Sequence, residues 1–198
     1  MTDAPNLVAL VGSRICHDLI SPIGAINNGL ELMTLAGSGG GPEMSLIGES
    51  VGNASARIRF FRIAFGAAGD QMIGHTEVCA ILRDLYDGGR LTVTWSPSTP
   101  QPRAAVRLAF LAILCCETAM PYGGTLDVQQ FQGNWTLTAL ADRMNVDETL
   151  WCMLSGAAAV TENLLPSHVQ FGLIPRIALD EGRKIKVRSD DARLTLVF

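Results

Sequence analysis

Charge is scarce in this chain. Asp, Glu, Lys and Arg make up 17% of its 198 residues, against about a quarter in ordinary soluble domains. So little charge points to extra surface buried in an oligomer. There is no lysine/arginine run and the net charge is −4, which argues against nucleic acid as the main partner. No uninterrupted apolar run reaches the roughly 18 residues of a membrane span. The Met1-Thr2-Asp3 start carries no basic segment, so no secretory signal is expected. Cys16, Cys79, Cys115, Cys116 and Cys152 are odd in number and scattered over apolar stretches. None has Cys-x-x-Cys or Cys/His metal spacing. They read as reduced, mostly buried thiols of a cytoplasmic protein, and no metal site is expected. A Gly-x-x-x-x-Gly-Lys-Ser/Thr phosphate loop is also missing.

What is present begins with a periodic helix from Ala4 to Ala36. Val8, Val11, Ile15, Leu19, Pro22, Ile26, Leu30 and Met33 recur by threes and fours as a core stripe. His17 lies roughly 190° from the centre of that stripe at about 100° per residue. A core histidine would lie on the stripe. This one is held out on a rigid rod. Its face also carries Ser13, Arg14, Ser21, Gly24, Asn28 and Glu31, several at the spacing where helix side chains become neighbours. Neutral imidazole is a good nucleophile near neutral pH. Arg14 suits charge on an incoming phosphoryl group. Asp18 flanks the ring and is placed to orient or deprotonate it. Pro22 leaves the Asp18 carbonyl without its usual partner, so a bend or loosening beside His17 is expected.

Gly37–Gly41 breaks the first helix and Pro42 opens a second, running to Ala68. Met44, Ile47, Val51, Ala54, Ile58, Phe61 and Phe65 form a heptad-like seam. Arg57, Arg59 and Arg62 fall off it and read first as solvated charges, with Arg57 and Arg59 also able to meet an acidic partner. A lone hairpin cannot bury two such faces. Pairing with a second copy gives a four-helix bundle, so a homodimer through residues 4–68 is expected.

Beyond the linker Gly69–His75 the period changes. A helix is predicted at Glu77–Tyr86, a strand at Arg90–Ser96, a loop at Pro97–Pro102 and an apolar helix at Arg103–Met120. Strands at Thr125–Phe131 and Thr136–Ala141 flank the turn signal Gly133-Asn134. Helices at Val146–Leu154 and Ser167–Asp180 and strands at Lys184–Arg188 and Arg193–Phe198 complete the pattern. The fold class is α+β: a hairpin domain over 1–69 and an α/β sandwich domain over 76–198, with helices on one face of an antiparallel or mixed sheet. His75 and His168 read as ordinary surface or capping-region residues. Trp95, Trp135 and Trp151 read as packing.

This layout resembles that of sensor histidine kinases, in which a dimerisation and phosphotransfer hairpin precedes an ATP-binding domain. His17-Asp18-Leu19-Ile20-Ser21-Pro22 is similar to that family's H-box, with Asp where Glu is common. Ala119–Thr125 is similar to the segment after the helix carrying the ATP-site asparagine. The departures decide the function. That helix reads Leu111-Ala-Ile-Leu-Cys-Cys116 here, and Asp142-Arg-Met-Asn-Val146 stands where an Asp-x-Gly-x-Gly box is required. Asp142 itself reads as solvated. Backbone amides close to phosphate and an oxygen ligand for Mg²⁺ are both missing.

Together the features resemble ChpT-type histidine phosphotransferases, whose second domain looks like a degenerate kinase ATP-binding domain. The similarity spans nearly the whole chain and is most specific over Cys16–Glu31. It implies that His17 takes a phosphoryl group from the aspartyl phosphate of one response-regulator receiver domain and passes it to another. Asp18 would orient the ring, and Arg14, Ser21, Gly24 and Asn28 would meet the phosphoryl group or the receiver. No cofactor and no ATP are expected; the Mg²⁺ would belong to the receiver. Two alternatives stay open. One is a dimeric receiver-binding scaffold without chemistry, the other an ATP-dependent histidine kinase.

Overall fold

Nine consecutive residues, Leu108 to Cys116, are all buried in one helix. A helix apolar all round must be covered on every side, and the fold is arranged around that requirement. The computed structural model describes residues 5–36, 41–156, 160 and 163–198. Its elements are α1 (Leu7–Ala36), α2 (Pro42–Ala64), β1 (Met72–Ile73), α3 (His75–Tyr86), β2 (Leu91–Trp95), β3 (Gln101–Pro102), α4 (Arg103–Ala119), β4 (Gly124–Phe131) and β5 (Asn134–Leu140). A short helix α5 (Glu148–Leu154), a single 3₁₀ turn (Pro166–His168), α6 (Val169–Asp180), β6 (Lys186–Ser189) and β7 (Arg193–Val197) follow.

Five strands form one mixed sheet in the order β2-β4-β5-β7-β6. Only β2 and β4 run parallel; every other neighbour is antiparallel. The register sets Leu126 beside Ala139, Val128 beside Leu137, and Leu137 beside Leu196. All five are buried, and their alternation along the strands gives the sheet one apolar face. α4 packs on that face and touches α2 and α6 on its other sides. The β4–β5 turn is tight, with both Gln132 and Gly133 in the left-handed region, as a two-residue hairpin turn requires.

The α+β class, the hairpin and the five sheet strands agree with the sequence reading. The differences are local. α2 ends at Ala64 rather than Ala68. β1 and β3, not predicted, pair across the linker and the loop. The side chain of Asp147 caps α5 through the amides of Thr149 and Leu150, so the helix starts at Glu148 rather than Val146. β6 is displaced to Lys186–Ser189. α1 continues through Pro22 as one helix, and Pro22 is buried. The expected start at Ala4 and the residues 37–40 lie outside the described residues. Cys115 and Cys116 are buried, but Cys16 and Cys152 are exposed, contrary to the expectation of mostly buried thiols. α1 is long and apolar enough for a membrane span, with a mean hydropathy of 1.2.

The hairpin is not packed as a separate unit. Phe60, Phe61, Ile63 and Ala64 of α2 share one core with α4 and the sheet. Aromatic rings mark the join: Phe60 stacks on Phe110 with centroids 4.5 Å apart, and Phe110 meets the edge of Trp95. Trp95 touches Trp135, which stacks on Phe198. The expected stripe of α1 is also divided. Pro22 is buried, and Gly29 lies where an added Cβ would strike the Ile47 side chain, so this edge is the one closed by α2. Val8 and Leu30 are exposed, as are Met44, Val51 and Ile58 at seven-residue spacing on α2.

Candidate functional site

His17 projects from α1 with 83% of its side chain exposed. Its Nδ1 lies 3.1 Å from Oδ1 of Asp18. A carboxylate only accepts hydrogen bonds, so the ring proton sits on Nδ1 and donates to Asp18. Nε2 then carries the free lone pair and points away from the carboxylate. This is a nucleophile with its tautomer fixed by a neighbour.

Asp18 is itself held. Arg14 Nε donates to its Oδ2 at 2.7 Å, and Arg57 Nη1 lies 3.7 Å from the same oxygen. Only 15% of the Arg14 side chain and 11% of Asp18 are exposed. The Arg14 fork has a second attachment: Nη1 donates to the Ser167 carbonyl at 2.6 Å. Arg57 Nε donates to Asn53 Oδ1. Beneath these groups is a cavity of about 220 Å³ between the hairpin and the sandwich, lined in part by Arg14, Asp18, Arg57, Tyr86 and Glu117. Tyr86 Oη donates to Glu117 Oε2 at 3.3 Å. Burial pushes the Glu117 carboxyl above its usual range, with Arg14 and Arg57 pulling the other way. Burial and the adjacent Glu117 also push the Tyr86 phenol well above its ordinary value.

The expected site residues separate into two groups. Ser21 and Asn28 are exposed, and Gly24 faces open space, with nothing within 4 Å of where its Cβ would be. These remain on the outer face of α1 with His17, Asn28 about three turns further along. Arg14 does not. Its guanidinium is engaged inward by Asp18 and Ser167, so the expectation of a free phosphoryl-binding cation gives way to a residue that holds Asp18. Arg57 is not a solvated charge either, and Arg59 pairs with Asp84 of its own chain at 2.8 Å. Sequence reasoning missed Tyr86, Glu117 and the Ser167 carbonyl. It read Arg57 as able to meet an acidic partner, and the carboxylate it meets is Asp18 of its own chain. His75 is tied to the fold, its Nδ1 donating to the Pro97 carbonyl at 2.8 Å, and His168 lies edge-on to Phe171. Asp142 is exposed, as expected. Among the described residues no three His, Cys, Asp or Glu side chains gather as a metal site.

Residues 75–193 match the histidine phosphotransferase C-terminal domain family. This chain belongs to the histidine phosphotransferases. The protein phosphotransferase ChpT of Brucella abortus (strain 2308) is 36% identical over 197 residues, covering 94% of this chain and 91% of that protein. A bacterial phosphotransferase of known structure superposes with a TM-score of 0.79 at 33% identity, over 100% of this chain and 97% of that one. The activity of the family member described here is protein phosphotransfer, and its fold is that of its relative along the whole length. The extent of the two matches places the hairpin with His17, as well as the second domain, inside the family likeness.

Proposed function

We propose that this phosphotransferase shuttles a phosphoryl group through His17 between receiver-domain aspartates of a phosphorelay. The single observation that carries the reading is an exposed imidazole whose Nδ1 is bound to a shielded carboxylate. Nε2 attacks the phosphorus of the donor's aspartyl phosphate in line. An N–P bond forms, the acyl phosphate P–O bond breaks, and the carboxylate leaves. No proton has to move, because the attacking nitrogen uses its lone pair and Nδ1 keeps its hydrogen. The imidazolium so formed is stabilised by Asp18. An acceptor aspartate attacks the same phosphorus in the second half and releases neutral imidazole. The work is positioning and charge stabilisation, and Mg²⁺ is supplied by the receiver.

Three further parts belong to the proposal. Ser21, Gly24 and Asn28 form the low-relief surface on which the receiver docks; the empty space over Gly24 supports this. The protein acts as a homodimer in the cytoplasm, with the exposed apolar residues Ile23, Leu30, Met44, Val51 and Ile58 covered by a second copy. It works without ATP, because Leu111–Cys116 faces the core, where a nucleotide site needs polar side chains.

The test uses a receiver radiolabelled on its aspartate. The label should move to the wild-type protein in an acid-labile, base-stable form and should not move to His17→Gln. Transfer that survives His17→Gln would remove the site. Binding without labelling of the wild type would favour a non-catalytic scaffold.

A further inference from the structure

The phosphotransfer reading needs only a histidine and a carboxylate, yet much of the polar structure at the domain junction converges on them. The carboxylate of Asp18 touches two guanidiniums, and one of these is anchored in the second domain by the Ser167 carbonyl, 153 residues away. That carbonyl is fixed in turn. Gln170 Nε2 donates to it at 3.0 Å and also to Thr118 Oγ1, which ties it to α4. Gln170 is completely buried and its Oε1 has no partner among the described residues. A buried unpaired oxygen costs about 1–3 kcal/mol, so an apolar side chain there would serve packing better.

We infer that Arg14 and Arg57 are positioning residues for His17, and that the second domain takes part in phosphotransfer by anchoring Arg14 through the Ser167 carbonyl. Arg14 holds Oδ2 of Asp18, which turns Oδ1 to the Nδ1–H of His17 and leaves Nε2 aimed at solvent. Arg57 Nη1 approaches the same Oδ2 at 3.7 Å and adds a second positive charge to it. A planar guanidinium reaches two acceptors in fixed directions, which an ammonium does not. Neither arginine touches the phosphoryl group. The inference rests on His17 being the phosphoryl carrier, but its structural half does not need that.

Two measurements on the full-length protein test it together. The first is single-turnover transfer from an aspartyl-phosphorylated receiver over a range of receiver concentrations. Arg14→Gln and Arg57→Gln should lower the maximal rate about 10- to 100-fold, the scale of a misplaced reacting group, with the half-saturating concentration little changed. Arg14→Lys should recover part of the rate. The second is the ¹⁵N spectrum of the His17 ring, which reports the tautomer directly. Wild type should hold the proton on Nδ1, and both glutamine variants should shift toward the Nε2–H form. A raised half-saturating concentration, with the maximal rate and tautomer unchanged, would show that the arginines bind the receiver and would overturn the inference. Arg57, 34% exposed, is the safer variant if Arg14→Gln loses its fold. A tautomer shift in a protein whose wild type accepts no phosphate would sustain the brace while refuting phosphotransfer.

Discussion

Replacing Phe60 by Ala tests whether hairpin and sandwich form one cooperative structure. Phe60 has no exposed surface, and its ring lies 4.5 Å from that of Phe110 at an interplanar angle of 9°. Burying such a side chain contributes about 1.5–3 kcal/mol. The stacked pair adds about 0.5–1.5 kcal/mol. Phe60 lies in the shared core between the rings of Phe110 and Phe61, so the void left by truncation adds to the loss, and truncation of a buried Phe typically costs about 3–5 kcal/mol. We take about 4 kcal/mol, a large share of the roughly 5–15 kcal/mol that stabilises a domain. At about 2–4 °C per kcal/mol for a chain of this size, the melting temperature should fall by about 8–16 °C. The assay is denaturant unfolding at fixed protein concentration, since dimerisation would make stability concentration-dependent. It is followed by far-ultraviolet circular dichroism for the helices and by tryptophan fluorescence, because the Trp95 and Phe110 rings meet at a right angle. Both signals should be lost together in wild type and variant. A loss below about 1.5 kcal/mol, or two separated transitions, would refute the shared core.

Two further outcomes follow from buried titratable groups. Burial raises the Glu117 carboxyl above its ordinary 4.5 against the pull of Arg14 and Arg57, while Tyr86 donates to it and Asp18 repels it. The native state therefore keeps that proton to higher pH than the unfolded chain. Its contribution to stability is complete below 4.5 and is lost as pH rises through the native value. Glu117→Gln should thus gain stability relative to wild type between about pH 4 and about pH 7, by paired denaturant titrations; a constant difference would refute it. Cys116, fully buried, is pushed up to about 12, and Cys115 also rises well above 9.0. A thiol reagent should label exposed Cys152 quickly in the native protein and reach Cys115 and Cys116 only after unfolding, as peptide mapping would show.

The position of His17 was legible because a helix has one strong periodicity. A residue opposite eight stripe positions has to face outward, and it does. Its partner Asp18 was legible by adjacency. The inward turn of Arg14 was not. The angular step places its Cβ, but the long side chain is directed by the Ser167 carbonyl, which no local pattern links to it. The Tyr86–Glu117 pair was hidden for the same reason, since its members lie 31 residues apart on different helices. The two-stranded β1–β3 pair is too short to produce an alternating pattern. The stripe of α1 was legible as apolar but not as two faces, because residues covered by α2 and residues left exposed on the protomer are of the same apolar types.

The open space over Gly24 has an evolutionary consequence. Ser21 and Asn28 are exposed, and a Cβ added at Gly24 would have no atom of the described residues within 4 Å. Exchanges there leave folding almost untouched, whereas the arginine-braced carboxylate next to them tolerates little. If the receiver docks on these outer positions as proposed, partner choice and chemistry would be written in separate sets of positions, and a duplicated copy of this chain could change partners by drift on the outer set without first losing its ability to fold.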